Sequence, residues 1–495
     1  MTAIILFDEE EKLMADTKKQ LRWYNVALIA FVAVWGLGNV VNNYAQQGLS
    51  VVTSWILIMI FYFVPYTLIV GQLGSTFKDA NGGVSSWVKE TSTKRLAFFA
   101  AWTYWVVHVP YLAQKPQGIL ISLSWLFKGN GNFVNEVPAM TVSIICLVLF
   151  LAFLWLSSRG LATLNRIGSV AGTAMFIMSI LFIILAISAP FITKGAKIAT
   201  PDMNKLSTYM PKWNFNYFTT ISMLVFAVGG SEKISPYVNK TKNASREFPI
   251  GMFVLAGMVA LCAILGSFGM GMLFNSKSIP QDLMANGAYE AFAKLGGYFH
   301  VGNVFVILYA IAQAMAQISA LAFSIDAPLK IMLGDADPEF IPKKLAKVNK
   351  KGVPINGYYL TGILVSILII VPALGIGSMN ELYKWLLNLN SIVMPMRYLW
   401  VFFAFMMLSR HMDKYQSDYM FVKNKTTGFV VGAWCFAFTA FACILGMVPK
   451  VDFSADPSAW WFQLILNIVT PIIFVVLGLI LPMIARHDNK KAMMN

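Results

Sequence analysis

Apolar runs of about 18 residues or more recur along the whole of this 495-residue chain, and they decide most of what it can become. Each run is long enough to cross a bilayer as a helix. In lipid every backbone N–H and C=O must find its partner within the protein, so runs of this length span as helices. Only 12% of the residues are charged, against about a quarter in ordinary soluble domains. The chain therefore reads as an all-α, polytopic membrane protein. Twelve spans are expected near 24–48, 51–76, 97–127, 138–156, 163–190, 215–238, 249–275, 300–332, 356–376, 379–408, 427–447 and 461–485.

The net charge of +15 invites a nucleic-acid reading, but its placement argues for orientation instead. Lys and Arg concentrate in the loops on one side, which the positive-inside rule makes cytoplasmic, and both termini fall on that side. The most basic loop, "IPKKLAKVNKKGVPING" (341–357), reads as an anchor at the headgroup layer. The amino terminus, "MTAIILFDEEEKLMADTKKQLRW", has too short an apolar run, followed by acids, for a cleavable signal, so 1–23 is expected to be a cytoplasmic segment. Residues 486–495 are expected to form a cytoplasmic tail. Cys146, Cys262, Cys435 and Cys443 stand singly in apolar spans and read as packing residues, with no metal spacing among them. No cofactor is implied.

Two spans break in the middle. The first contains "VWGLGNVVNN" (34–43), with Gly36 and Gly38 at mid-membrane and Asn39 beside them as a further substrate-binding candidate. The sixth contains "FAVGGSEKISPYVN" (226–239), where two glycines, Ser231, Glu232, Lys233 and Pro236 interrupt an apolar run. Glycine pairs and proline unwind helices. Unwound backbone at membrane depth survives only where it lines a cavity or is buried in protein. Breaks at corresponding positions of two halves point to the binding site of a transporter. With five spans per half, the second copy must be inverted relative to the first. On this reading Glu232 faces a wet cavity, serves the solute and is dispensable for folding. The bland alternative is a plain kink with Glu232 and Lys233 paired to each other.

Taken in order, Gly36 and Gly38, "GGVSSWV" (82–88), "FAVGGSE" (226–232), "IDAPLK" (325–330) and "IPKKLAKVNKKGVP" (341–354) resemble the amino acid–polyamine–organocation (APC) superfamily, in the branch of glutamate/GABA antiporter-like permeases. The resemblance implies a LeuT-type core of two inverted five-helix repeats, 24–190 and 215–408, with spans 11 and 12 (427–485) peripheral. It implies a secondary transporter, not an enzyme, in the cell membrane as a monomer or homodimer surrounded by lipid. Its cargo would be an amino acid, taken in exchange for another amino acid or for its decarboxylated amine. An agmatine–putrescine type amine exchanger and a proton-coupled symporter are the alternatives. Carried onto this sequence, the backbone amides of Gly36, Leu37 and Gly38 would meet the substrate carboxylate. The carbonyls of Phe226, Ala227 and Gly229 would meet its amino group. A zwitterion suits such a site because half-helix N-termini are positive and C-termini negative.

Lys233 after Glu232, and Asn239 where many relatives carry an acid, depart from that pattern. So does "VVHVPYLAQKPQ" (106–117) in span 3, with His108 and Lys115. Ionisable residues at such depth are costly, so His108, Lys115 and Lys233 are candidates for coupling or gating. The plainer readings are a hydrogen-bonded packing histidine and a lysine that snorkels to the interface. Arg397, two residues after Pro395, reads as a structural brace, and Asp326 as part of a network with loop lysines. Span 5, "IGSVAGTAMFIMSILFIILAISAPFIT" (167–193), has no ionisable side chain. Some proton-coupled members of the family place a lysine there, so exchange is the expected mode. A membrane enzyme and a channel are the rivals; neither a nucleophile–base pair nor a filter-like motif stands in the sequence.

Overall fold

A computed structural model describes residues 21–78, 83–159, 163–335, 337, 339–349, 353–417 and 419–494. Most of the expected amino-terminal segment, Gly82 and residues 350–352 of the basic loop lie outside them, as does the Asn239 side chain. Among the described residues the protein is all-α; the only strand-like pairings are two isolated bridges, Leu21 with Thr241 and Pro138 with Ser378. Among the described residues ten helices are long and apolar enough to cross a membrane, judged by length and composition. Spans 1 and 6 do not form continuous crossings of that kind, because each is divided. The carboxy-terminal helix runs on from Pro457 to Met494, through most of the expected tail.

Span 1 consists of Trp23–Val34 and Leu37–Gln47, with Trp35 and Gly36 extended between them. Span 6 runs as short helices Phe215–Thr219 and Ile221–Ala227, then a 3-10 stretch, Ser231–Lys240. Gly230 sits at φ +115°, a backbone conformation that a side chain would strain. Gly229 is required for a different reason: a β-carbon there would stand 1.7 Å from the Tyr398 hydroxyl. The two breaks lie side by side. Asn39 Nδ2 donates to Val34 O and to Ala227 O, both at 3.2 Å, and so ties one break to the other.

Prolines shape the surrounding spans. Span 3 divides at Val107 into Lys94–Val106 and His108–Lys128, where Pro110 leaves the Val106 carbonyl without its helical partner. Span 10 divides before Pro395 into Met379–Val393 and Met396–Arg410, which puts Arg397 in the first turn of the second piece. Span 2 contains a π-turn, Met59–Phe63, just before Pro65. The Phe61 carbonyl that Pro65 cannot satisfy accepts from Trp434 Nε1 of span 11 at 2.8 Å. Span 11 packs chiefly on span 10, and span 12 touches the first piece of span 3. All four cysteines are free and buried, as packing residues should be.

Residues 276–299, between the expected spans 7 and 8, contain a helix, Leu283–Tyr298, whose apolar face is buried against span 1 and span 8. Its apolar positions recur at helical spacing (Leu283, Ala288, Ala291, Phe292, Leu295), so burial of that face overrides the polar composition of the segment.

Candidate functional site

A cavity of about 300 Å³ lies where the two breaks meet. Gly36, Leu37, Gly38 and Asn39 of span 1 line it, together with Phe226, Gly229 and Lys233 of span 6. Lys115 of span 3 and Arg397 of span 10 reach it as well. The helix Leu283–Tyr298 closes one end, with Met284, Ala285, Ala288 and Tyr289 on the lining. Tyr289 is held there by stacking on Trp125, at 5.6 Å between ring centroids, and by a 2.8 Å hydrogen bond with Ser122.

Leu37 and Gly38 open an 11-residue helix, so their N–H groups have no partner within it and point toward the break. A β-carbon at Gly36 or at Gly38 would meet nothing within 4 Å. The protein itself therefore tolerates a side chain there, and only a ligand against the backbone would collide with it. Gly38→Val is expected to fold, since its β-carbon meets nothing within 4 Å, yet to lose measurable substrate binding. Normal affinity in that variant, read by isothermal calorimetry, would remove the span 1 amides from the site.

Charge in the cavity is uneven. Lys115 is 8% exposed, and its Nζ sits 4.0 Å from the centre of the Tyr111 ring, one helical turn earlier. Lys233 is half-buried on the lining. Among the described residues neither lysine has a carboxylate within 4.0 Å.

Glu232 takes a different place from the one expected of it. It is 1% exposed, does not line the cavity, and sits behind it against Arg397, with Nε–Oε1 at 2.9 Å. That contact is an ion pair by distance, although the Nε–H is not aligned on the oxygen. The Tyr66 hydroxyl of span 2 donates to the other carboxylate oxygen. Glu232 and Lys233 are not paired with each other, because successive residues point in different directions and only Lys233 faces the lumen.

Arg397 is thus a brace, as expected, and its partner is Glu232. Its Nη2 also donates to the Tyr398 hydroxyl at 3.3 Å, and His108 Nε2 lies 3.4 Å from its Nη1. His108 is buried off the cavity, with Nδ1 2.7 Å from Tyr104 O. Two of the expected carbonyls have partners already: Ala227 O accepts from Asn39, and Phe226 O accepts from Gly229 N at 3.2 Å. Ala227 is also absent from the lining. Asp326 pairs within its own helix, with Lys330 at 2.7 Å, and accepts from Tyr358; among the described residues no loop lysine is involved.

Sequence reasoning missed Tyr111, Gln114, Gln313, Gln317 and Tyr383, which line the cavity. A signal for two of them was present: in "AIAQAMAQISA" (310–320) Gln313 and Gln317 stand one turn apart in an otherwise apolar span. Gln317 Oε1 is buried without a hydrogen-bond partner. No group of three or more His, Cys, Asp or Glu among the described residues is placed to hold a metal.

Comparisons with known proteins agree with this architecture. The chain is 65% identical to the aspartate/glutamate permease AcaP of Lactococcus lactis subsp. cremoris, over 96% of this chain and 97% of the relative. It is 23% identical to a glutamate/gamma-aminobutyrate antiporter of Lactococcus lactis subsp. lactis, over 90% and 87%. It is 22% identical to the inner membrane transporter YjeM of Salmonella typhimurium, over 94% and 96%. Among solved structures, a manganese transporter of Eremococcus coleocola, crystallised with an aromatic bis-isothiourea substituted compound, shares the fold with a TM-score of 0.57 at 12% identity, over 94% of this chain and 95% of that one. The amino acid permease family profile matches residues 21–481. With two broken helices meeting at a polar cavity and that match spanning nearly the whole chain, this protein belongs to the amino acid permease family of the APC superfamily and is a multi-pass transporter of amino acids, not an enzyme.

Proposed function

We propose that this permease carries acidic amino acids, aspartate and glutamate, across the cell membrane by exchange. The carrying observation is the charge of the cavity: Lys115 and Lys233 face it without a carboxylate partner, while Glu232, the acid expected to attract an amine, is engaged by Arg397. Two cations in a low-dielectric cavity favour a substrate with net negative charge and disfavour a dicationic amine such as putrescine. The 65% identical relative named for aspartate and glutamate supports the same substrate class.

In this reading the α-carboxylate meets the N–H groups of Leu37 and Gly38, at the positive end of their helix. The ammonium faces the negative end of Ile221–Ala227. The side-chain carboxylate lies between Lys115 and Lys233. The protein is oriented with both termini cytoplasmic; spans 1–5 and 6–10 form the two inverted repeats, and peripheral spans 11 and 12 bring the crossings to twelve, the two broken spans included.

Exchange follows from the same charges. A carrier that returned without an anion would drag two uncompensated cations through the closed state, which costs several kcal/mol per ion. Span 5 offers no ionisable side chain in 167–193 to stand in for a driving ion. Proteoliposomes loaded with aspartate are expected to accumulate labelled aspartate, whereas vesicles holding only a bulky anion are not, under either a proton or a sodium gradient. Strong gradient-driven uptake into the latter would replace exchange by symport. Failure of aspartate and glutamate to bind at all would overturn the substrate class.

A further inference from the structure

The lysine pair has a consequence for the protein between amino acid cargoes. Lys115 is more than nine-tenths buried and has no carboxylate partner; its neighbour is the face of the Tyr111 ring. Lys233 of span 6 shares the lumen with it. Arg397 adds no net charge, since Glu232 neutralises it. The N-terminus of Leu37–Gln47 opens on the same lumen and adds a partial positive charge through the free amides of Leu37 and Gly38. Among the described residues, every ionised side chain on the lining that lacks a compensating carboxylate is therefore a cation.

We propose that the amino acid cavity is also a binding site for one small inorganic anion of the halide class, held by Lys115, Lys233 and the Leu37 and Gly38 amides, and that it competes with the amino acid. Cations that cannot be paired within the protein are stabilised by an anion of matching size, and helix N-termini bind anions through their exposed N–H groups. The anion occupies the place of a substrate carboxylate, so the two exclude each other. This inference goes beyond the acidic-substrate reading, because it depends on the cavity charge and not on which amino acid is carried. It also widens exchange: chloride on one side becomes a counter-substrate for aspartate on the other.

The probe is chloride, set against lactobionate, a disaccharide acid too bulky for the cavity, at equal ionic strength. Purified protein without amino acid is expected to melt at a higher temperature in chloride. The apparent dissociation constant for aspartate is expected to rise about 11-fold when chloride is present at about ten times its own dissociation constant. Lys115→Gln and Lys233→Gln should each lose the chloride shift. Lys384→Gln, which removes a partly exposed lysine paired with Glu381 at 2.7 Å, should keep it and so controls for general salt effects.

Identical melting and identical aspartate affinity in the two salts would overturn the proposal. So would proton uptake on aspartate binding without chloride dependence, since a lysine would then be losing its charge in place of gaining a counterion. A chloride shift in a protein that binds no acidic amino acid leaves this inference standing and removes the substrate assignment. Aspartate binding that is indifferent to chloride does the reverse.

Discussion

Glu232→Gln is expected to destabilise the protein by about 3–5 kcal/mol, the usual cost of removing one partner of a buried ion pair. The pair is almost wholly buried: the side chains of Arg397 and Glu232 are 2% and 0% exposed, and only Arg397 touches the cavity lining. Neutralising the carboxylate leaves a guanidinium that cannot lose its proton, with His108 and the Tyr398 hydroxyl as its remaining polar neighbours. The Tyr66 hydroxyl also loses a charged acceptor. Sequence reasoning made Glu232 a substrate residue dispensable for folding; its position behind the cavity implies the opposite. The check is a melting curve in detergent for Glu232→Gln, Arg397→Met and the double variant. The double variant should be more stable than Glu232→Gln alone, because it no longer buries an unpaired charge. A melting temperature for Glu232→Gln equal to the parent's would show that the pair carries no weight in the fold.

Lys115→Gln and Lys233→Gln are expected to weaken aspartate binding by about 30-fold or more each, corresponding to about 2 kcal/mol for losing one partner of a buried charged contact. Their effect on stability should run the other way. Each removes a cation that the protein does not neutralise, so the variants should melt at or above the parent temperature. This separation of binding from stability distinguishes a ligand-holding lysine from a structural one. Competition by asparagine and glutamine, which lack the second carboxylate, should be little changed in absolute affinity, so selectivity for the acids collapses. Unaltered aspartate affinity in both variants would place the side-chain carboxylate elsewhere in the cavity.

The sequence by itself determined the membrane class, the approximate positions of the spans and the two breaks. These rest on local physics: long apolar runs have no stable form in lipid except helix, and Gly36, Gly38, Gly229 and Gly230 interrupt helices through their own backbones. Membership of the family was legible from short motifs in order, and the lumen-facing Gly36, Leu37, Gly38, Asn39, Phe226, Gly229, Lys115 and Lys233 were all among the residues picked out. What sequence could not decide was which polar groups meet. Glu232 and Lys233 are neighbours in the chain, yet one is buried against Arg397, 165 positions on, and the other opens on the cavity. Asn39 and Ala227 looked like two separate contacts for a substrate, but packing of span 1 on span 6 joins them to each other. Tyr289 belongs to a segment whose composition reads as loop, and only its docking on spans 1 and 8 carries it to the lumen. Helix-forming and helix-breaking tendencies act over a few residues and are written locally. The partners of a buried charge are chosen by helices distant in sequence, and the charge left over after those pairings is a property of the packed bundle alone.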